Sequence, residues 1–426
     1  MKILHTSDWH LGKNLENISR IEEQKQFVDW LCGVVENENV DMVIIAGDIY
    51  DTYNPPAAAE ELFYEALNRL GDDGKRAVLV IAGNHDNPDR LCAASSLAYK
   101  NGVILLGYPA SDAGIFAKTS QHIKIIHSGP GWLEISMERC QHNAVVITLP
   151  YPSESRLEEL ISRQLDEKEL AREYSEKVRD ILKSLASNFR EDTVNICAAH
   201  IFMKEGMTSD SERAYQVGGA YTVEPSSLPD NAHFVALGHL HRPQEVKNAP
   251  CPAYYSGSPL AYSFSEAGHS KAVYIVEAAP GMQTTVKPIY IQCGKPLRRW
   301  TSYSIEEVIY WCEIQRDINA WVDVEIHTDR FLTVEEQKQI RSLHQGIINI
   351  RPKIASRSFD NESCVKREGK NIDELFREFY RFRTGNDVPD EIMKAFIELL
   401  NEESDESTIP EQTNTDGDEN YETEAS

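Results

Sequence analysis

One feature constrains this chain more than any other. Short apolar runs of β character recur, and most of them end abruptly in aspartate, asparagine or histidine. Residues 2–5 run into Asp8-Trp9-His10, residues 42–46 into Gly47-Asp48-Ile49-Tyr50-Asp51, and residues 77–82 into Gly83-Asn84-His85-Asp86. Further along, residues 194–199 end at His200 and residues 234–237 at Gly238-His239-Leu240-His241; the run 144–148 carries no such ending. Each run is rich in Val, Ile or Leu and bounded by Gly, Asp or Pro, which is the pattern of a buried strand. Helical patterns fall between several of them, over residues 22–37, 57–70 and 157–185. The first of these carries its apolar residues at Phe27, Leu31, Val34 and Val35.

Strands alternating with helices predict an α/β core. Loops at the carboxyl ends of strands in such a sheet gather along one edge, so groups far apart in sequence can converge. Side chains alternate with period two along a strand, so D-x-H and H-x-H can aim both of their outer residues the same way. The glycines before Asp48, Asn84 and His239 permit a tight turn and a close backbone approach. Carboxylates, imidazoles and one amide oxygen suit manganese, iron or magnesium, and the lack of thiolates argues against a structural zinc site. Taken singly, Asp, Asn and Gly are ordinary turn residues; the ordered set is what reads as a two-metal site. Asp51 and Asp86 read either as turn residues or as a second layer behind the ligands. His5, His122, His127, His142, His233, His269, His327 and His344 stand outside the pattern and read as surface or satisfied core residues.

Composition narrows the class. The eight cysteines form no CxxC pair, as expected of reduced thiols. No stretch approaches the roughly 18 apolar residues of a membrane span, and residues 1–5 lack the apolar core and cleavage site of a signal peptide. A cytoplasmic protein is expected. The formal net charge of −25 is unusual for a nucleic-acid binder. Part of it lies beyond residue 402, where there is no Lys or Arg and which reads as a disordered, solvated tail over residues 404–426. A DNA-binding role would therefore need local basic patches, metal ions or a partner.

After residue 258 the pattern changes. Strands at 272–277 and 286–291 complete a first domain over residues 1–292. A smaller α/β unit over 293–356 follows, with helices at 305–314 and 334–343 and strands at 321–326 and 347–354. Residues 357–370 read as a linker. A helical pair over 371–403 comes next, turning at Gly385-Asn386-Asp387.

The order of these motifs resembles the calcineurin-like metallophosphoesterase superfamily. Within it the chain is similar to the SbcD family of nuclease subunits. The stretches Ser209-Asp210-Ser211-Glu212-Arg213, Val217-Gly218-Gly219 and Tyr255-Ser256-Gly257-Ser258-Pro259 point to that family in particular. The resemblance spans roughly residues 1–403. It implies a four-layer α-β-β-α sandwich with a small α/β capping domain and a C-terminal helical pair. It implies Asp8, His10, Asp48 and His241 as ligands of one cation, and Asp48, Asn84, His200 and His239 as ligands of a second. Asp48 would bridge them, and His85 would be the catalytic histidine. Two such cations could clamp the attacking and leaving oxygens of an in-line displacement at phosphorus. Manganese is the expected ion, with magnesium and iron as alternatives. Archaeal relatives carry a further functional histidine three residues after the bridging aspartate; Asp51 stands there in this chain.

The resemblance further implies 3′→5′ exonuclease and single-strand endonuclease activity, processing double-strand breaks and hairpins in DNA. It implies an SbcC-type coiled-coil ATPase as partner and a homodimer within a heterotetramer. Leu375, Phe379 and Phe382 on the first terminal helix, and Phe396, Leu399 and Leu400 on the second, would dock on that partner. They fall near the i, i+3, i+4 and i+7 spacing of helix-in-groove anchors. Arg298, Arg299 and Trp300, at the entrance to the capping unit, could contact phosphate and stack on a base; they read at least as well as a solvated turn with a core Trp. A small-molecule or protein phosphoesterase would keep the site but change the substrate. A non-catalytic scaffold for a DNA-tethering ATPase would keep neither the site nor the chemistry.

Overall fold

The computed structural model describes residues 1–114, 122–153, 167–204, 206–209, 211, 222–354, 375–377, 380, 388–389, 392–394 and 396. Two sheets carry the architecture. One has six strands, in the order Thr285–Tyr290, Ala272–Glu277, Lys2–Thr6, Met42–Ala46, Ala77–Ile81 and Val103–Leu106. From Lys2–Thr6 onward neighbours run parallel, while Ala272–Glu277 and Thr285–Tyr290 add an antiparallel edge. The other has seven, in the order Gln244–Glu245, Ala253–Tyr255, Phe234–Gly238, Val194–His200, Ala144–Leu149, Trp132–Met137 and Ile123–Gly129.

Strand alternation builds the layers. In Met42–Ala46, Met42, Ile44 and Ala46 point inward and pack with Ile196, Phe234 and Ala236 of the other sheet, while Val43 and Ile45 point outward. The outward set meets Phe27, Leu31 and Val35 of helix Ile21–Asn37 and Leu62 and Phe63 of helix Ala57–Gly71. On the far face, Ile147, Cys197 and Leu237 pack against Val178 and Leu182 of helix Glu167–Ala186. Strands buried on both faces read as continuous apolar runs rather than alternating ones, which is why they stand out in the sequence. The result is the expected α-β-β-α sandwich. Strands 103–106, 123–129 and 132–137 carry a weaker sequence signal and fall outside the expected set, because their runs are shorter or broken by polar residues such as Lys124, His127 and Glu134.

A three-stranded parallel sheet follows, Leu297–Ser302, Trp321–Thr328 and Ile347–Ile354, with helices Ile305–Glu313 and Val334–Leu343. Ser304 and Thr333 cap the two helices, the latter in a full capping box with Glu336. This sheet docks on helix Ile21–Asn37 through one carboxylate. Glu23 accepts from Trp321 Nε1 at 2.9 Å and from the Lys295 amide at 2.6 Å, and pairs with buried Arg20.

In the second compact unit, residues 356–426, Phe376 stacks on Phe396 with centroids 3.8 Å apart and planes 7° from parallel. Residues 375–377 and 392–394 are helical; Leu375 is half-buried, and Val388 and Met393 are buried. Phe379, Phe382, Leu399 and Leu400, the linker at 357–370 and the tail at 404–426 lie outside the described residues. The cysteines among the described residues are free. No helix among those residues is long and apolar enough to cross a membrane.

The two large sheets approach closely at the ends of strands Met42–Ala46 and Phe234–Gly238. A Cβ on Gly238 would lie 1.8 Å from the carbonyl oxygen of Ala46 in the facing sheet. Backbone on both sides leaves nothing flexible to move aside. Gly238→Ala should therefore destabilise the chain by at least about 3 kcal/mol. A urea unfolding midpoint close to that of the parent would show that the sheets are not wedged together here.

Candidate metal centre

The turns after strands Lys2–Thr6 and Met42–Ala46 are laced together by backbone bonds. Asp8 N–H donates to Gly47 O at 2.9 Å, His10 N–H to Asp48 O at 3.0 Å, and Leu11 N–H to Ile49 O at 2.8 Å. Asp8, His10 and Asp48 sit in this ladder at φ of 54°, 47° and 53°, and His239 lies at 108°. Non-glycine residues in this left-handed region cost of order 1–3 kcal/mol each and persist only where surrounding contacts over-determine them. Here the ladder and the facing sheet supply those contacts.

The strand ends bring the predicted ligands to one place. Asp48 Oδ2 lies 3.6 Å from His10 Nε2 and 3.5 Å from His200 Nε2. On one side, His10 Nε2 is 2.9 Å from His241 Nε2. On the other, Asn84 Oδ1 is 2.9 Å from both His200 Nε2 and His239 Nδ1. Donor atoms of Asp8, His10 and His241 fall within 4.8 Å of one another, as do those of Asp8, Asp48 and His200. All of these side chains are buried except Asn84, which is half-buried. Two of the glycines are needed for the approach: a Cβ on Gly83 would lie 2.1 Å from Asp48 Oδ1, and one on Gly47 2.3 Å from His200 Nδ1.

Neighbouring groups fix the orientation of the ligands. His200 Nδ1 donates across the sandwich to Ala46 O at 2.8 Å. Asp8 Oδ1 accepts the His239 amide at 2.9 Å, and Asp48 Oδ1 accepts the His85 amide at 2.9 Å. Asp86 accepts three backbone amides, from Gly83, Ile49 and Tyr50 at 2.8, 3.1 and 3.0 Å, and so braces the second turn against the third. His85 stands beside the cluster, its ring 4.7 Å from that of His10, with Nδ1 bonded to Asp51 O at 2.6 Å. The Asp51 carboxylate meets Lys13 Nζ at 2.7 Å and lies 3.6 Å from His10 Nδ1. Burial would raise the Asp51 carboxyl, but His10 and Lys13 outweigh it and hold it well below the usual range.

The electrostatics ask for a cation. Burial pushes the Asp8 carboxyl up to about 8, with neighbouring Asp48 adding to the rise; His200, the Ser7 hydroxyl and the His239 amide offset only part of it. Burial also drives His10 down to about 4 and His239 to about 3, and His241 well below its ordinary value. Burial opposes ionisation of Asp48 too, but His200, His85 and His10 outweigh it and lower its carboxyl; Asp48 in turn raises His200 to about 9. Neutral imidazoles whose ring nitrogens face each other at 2.9 Å, beside buried carboxylates, make a donor set in which His200 is the one imidazole held towards its charged form. His10 Nδ1 is a buried nitrogen without a hydrogen-bond partner among the described residues. Such a set of N and O donors fits divalent first-row metals or magnesium.

Several supporting residues carry no signal in the sequence. Gln24 Nε2 donates to His10 O and to Tyr262 Oη, each at 2.9 Å, while its Oε1 accepts the Gly12 amide. Gln24 is fully buried, yet in the helical pattern over 22–37 it reads as a polar surface position. Tyr262 Oη in turn donates to Trp9 O.

Of the two readings of Arg298, Arg299 and Trp300, the core Trp holds, base stacking by Trp300 does not, and the turn is instead a strand. They form part of a strand, and Trp300 is only 2% exposed. Its Nε1 donates to Asp317 Oδ2 at 2.9 Å, and its ring packs edge-on against Trp311 and His344. An indole so enclosed cannot stack on a base. Arg298 and Arg299 are exposed and lie 3.7 and 3.5 Å from the carboxylates of Asp317 and Asp323.

The calcineurin-like phosphoesterase model matches residues 1–243. The D subunit of the nuclease SbcCD from Bacillus subtilis (strain 168) is 47% identical over 401 residues, covering 94% of this chain and 97% of that one. The chain belongs to the SbcD family of calcineurin-like phosphoesterases. In this member of the family the C-terminal part also matches a model, the type 5 capsule protein repressor C-terminal domain, over residues 293–384. Two solved structures match at TM-score 0.36, TT1561 of Thermus thermophilus at 11% identity and a dimetal phosphatase from Danio rerio at 12%. Each match covers 68% of this chain and 99% of the other, a likeness too weak to say more.

Proposed function

We propose that this chain is the nuclease subunit of a DNA-processing complex, a metal-dependent hydrolase of phosphodiester bonds. The metal-dependent chemistry rests on one observation above the rest: Asp48 Oδ2 lies between imidazoles, 3.6 Å from His10 Nε2 and 3.5 Å from His200 Nε2. A carboxylate so placed can be shared by two cations. Asp8, His10, Asp48 and His241 would hold one, and Asp48, Asn84, His200 and His239 the other. When bound, two divalent ions, manganese in this reading, supply Lewis-acid stabilisation of the charge that develops on the phosphoryl group.

The protein's own groups do the rest. The His85 amide holds Asp48 in register, and the Nδ1 bond to Asp51 O fixes the His85 ring. With Nδ1 so occupied, Nε2 is the atom that can contact a phosphate oxygen or give a proton to the leaving oxygen. General acid catalysis of this kind typically contributes about 10²–10⁴-fold. Asp86 and Gln24 brace the turns that carry the ligands.

DNA as substrate is supported by the curated relative, a nuclease matched over nearly its full length. Double-strand-break and hairpin processing, by 3′→5′ exonuclease and single-strand endonuclease steps, is the reading for this chain. The sheet spanning 297–354 would act as a cap over DNA entry, and an SbcC-type ATPase would dock on the terminal helices, giving a heterotetramer with two copies of each chain. A cytoplasmic location follows from that role. A small-molecule diesterase would have no need of a docked cap, and a non-catalytic scaffold no need of a complete, buried donor set.

Two variants separate metal binding from chemistry. Asp48→Asn should weaken both cations and abolish manganese-dependent DNA cleavage, because a neutral amide offers less charge to two dications. His85→Gln should keep both ions and reduce cleavage by at least about a hundredfold. Two fully occupied ions in the first variant by metal analysis, or full activity in the second, would contradict these roles.

The partner is tested separately. A chain ending at residue 370 should still cleave short single strands with manganese but fail to assemble with the coiled-coil ATPase. Co-purification of the truncated chain with that ATPase would place the docking site elsewhere.

A further inference from the structure

In two stretches of sequence, residues 209–213 and 255–259, the described residues include none of the ligands named above, yet Ser211 and Ser258 stand behind His241. Ser211, from the first, places Oγ 2.5 Å from His241 Nδ1 and 2.7 Å from Glu266 Oε1. Ser258, from the second, accepts from Lys271 Nζ at 2.8 Å, and the same ammonium donates to His241 O at 2.8 Å and to Glu266 Oε2. Glu266 is 1% exposed and Lys271 8%. A buried ion pair has thus been built behind a histidine that faces the cluster with its other nitrogen.

The protons in this chain of bonds can be assigned by elimination. Among the described residues the groups facing Glu266 are donors: the amides of Tyr262 and Ser263 at 3.0 and 3.1 Å, the Lys271 ammonium and the Ser211 hydroxyl. Facing these donors the carboxylate accepts, so the Ser211 proton points to Glu266, and Ser209 Oγ, 2.9 Å from Ser211 Oγ, then donates to Ser211. Ser211 Oγ then turns a lone pair towards His241, and Nδ1 must carry a hydrogen to meet it. A neutral imidazole protonated at Nδ1 keeps its lone pair on Nε2. That is the atom 2.9 Å from His10 Nε2 inside the cluster.

We propose that Ser211, Glu266 and Lys271 are positioning residues that fix the tautomer and orientation of His241, presenting its Nε2 to the cation held with Asp8, His10 and Asp48. This rests on the metal-centre reading above. Histidine ligands commonly donate their second N–H to a carboxylate, and removing that partner typically lowers metal affinity about 10–100-fold. Here a serine hydroxyl stands between the imidazole and the carboxylate and carries the polarity from one to the other. The device gives both stretches a role: one supplies the hydroxyl, and the other seats the ammonium that bonds Glu266.

The test uses the full chain with ¹⁵N-labelled histidine. In the metal-free protein, long-range ¹H–¹⁵N correlation should report the Nδ1–H tautomer for His241. Ser211→Ala should give a mixture of tautomers and bind manganese about 10–100-fold more weakly at one of its two sites by calorimetry. Ser211→Thr, which keeps the hydroxyl, should restore both readouts. An Nε2–H tautomer in the parent chain, or parent affinity in Ser211→Ala, would overturn the proposal. The tautomer is read without metal and without a variant. A parent chain that bound no manganese would therefore count against the metal centre, while the relay would still be decided by the tautomer.

Discussion

A buried carboxylate between imidazoles from two sheets is the interaction on which the rest of this structure depends. Asp48 follows a strand of the six-stranded sheet, and His200 ends a strand of the seven-stranded one, 3.5 Å away. Taking a carboxylate out of water is unfavourable by several kcal/mol unless charge and hydrogen bonds compensate it. The protein compensates Asp48 with His200, His85 and His10, but at Asp8 the same kind of support falls short of the cost of burial, and His10 and His241 turn ring nitrogens to each other. The fold is thus complete as a scaffold but electrostatically unfinished at this one point. Divalent cations are the chemistry that finishes it.

That placement determines much of the surrounding architecture. The sheets must touch at their ends, so glycine is required at 47, 83 and 238, where a Cβ would collide with Asp48, His200 or the Ala46 carbonyl. The ligands must leave their strands sharply, so Asp8, His10, Asp48 and His239 occupy left-handed backbone. Strain at four residues around one centre is sustained by the ladder between the first two turns, by the three amides that Asp86 accepts, and by Gln24 behind His10. A site held this rigidly suits chemistry that depends on fixed distances between charges.

Much of this is legible in the sequence because strand-end motifs and strand burial are both local signals. The runs at 42–46 and 77–81 are apolar on both faces, and the residues after them are few and chemically distinctive. What is not legible lies in the long-range contacts. Gln24 and Glu23 look like solvent-facing helix positions, yet one props His10 and the other anchors Trp321, and both roles exist only once the chain has folded back. Trp300 next to two arginines reads either as a core residue or as a nucleic-acid contact; the folded strand turns the indole inward and leaves the guanidiniums outside. Ser211 and Lys271 lie 30 residues either side of His241, and nothing in a single sequence connects them to it.

The net charge of −25 also fits this account better than it first suggests. A chain so acidic gains little from holding a polyanion by general electrostatic attraction. Local charge at the centre and a partner that grips the duplex would then divide the work between them. The central claim is that two cations share Asp48. Anomalous diffraction at the manganese edge, on crystals soaked in that ion, tests it most directly. The account predicts two peaks about 3.5–4 Å apart with the Asp48 carboxylate between them; a single peak, or a pair that Asp48 does not touch, would contradict it.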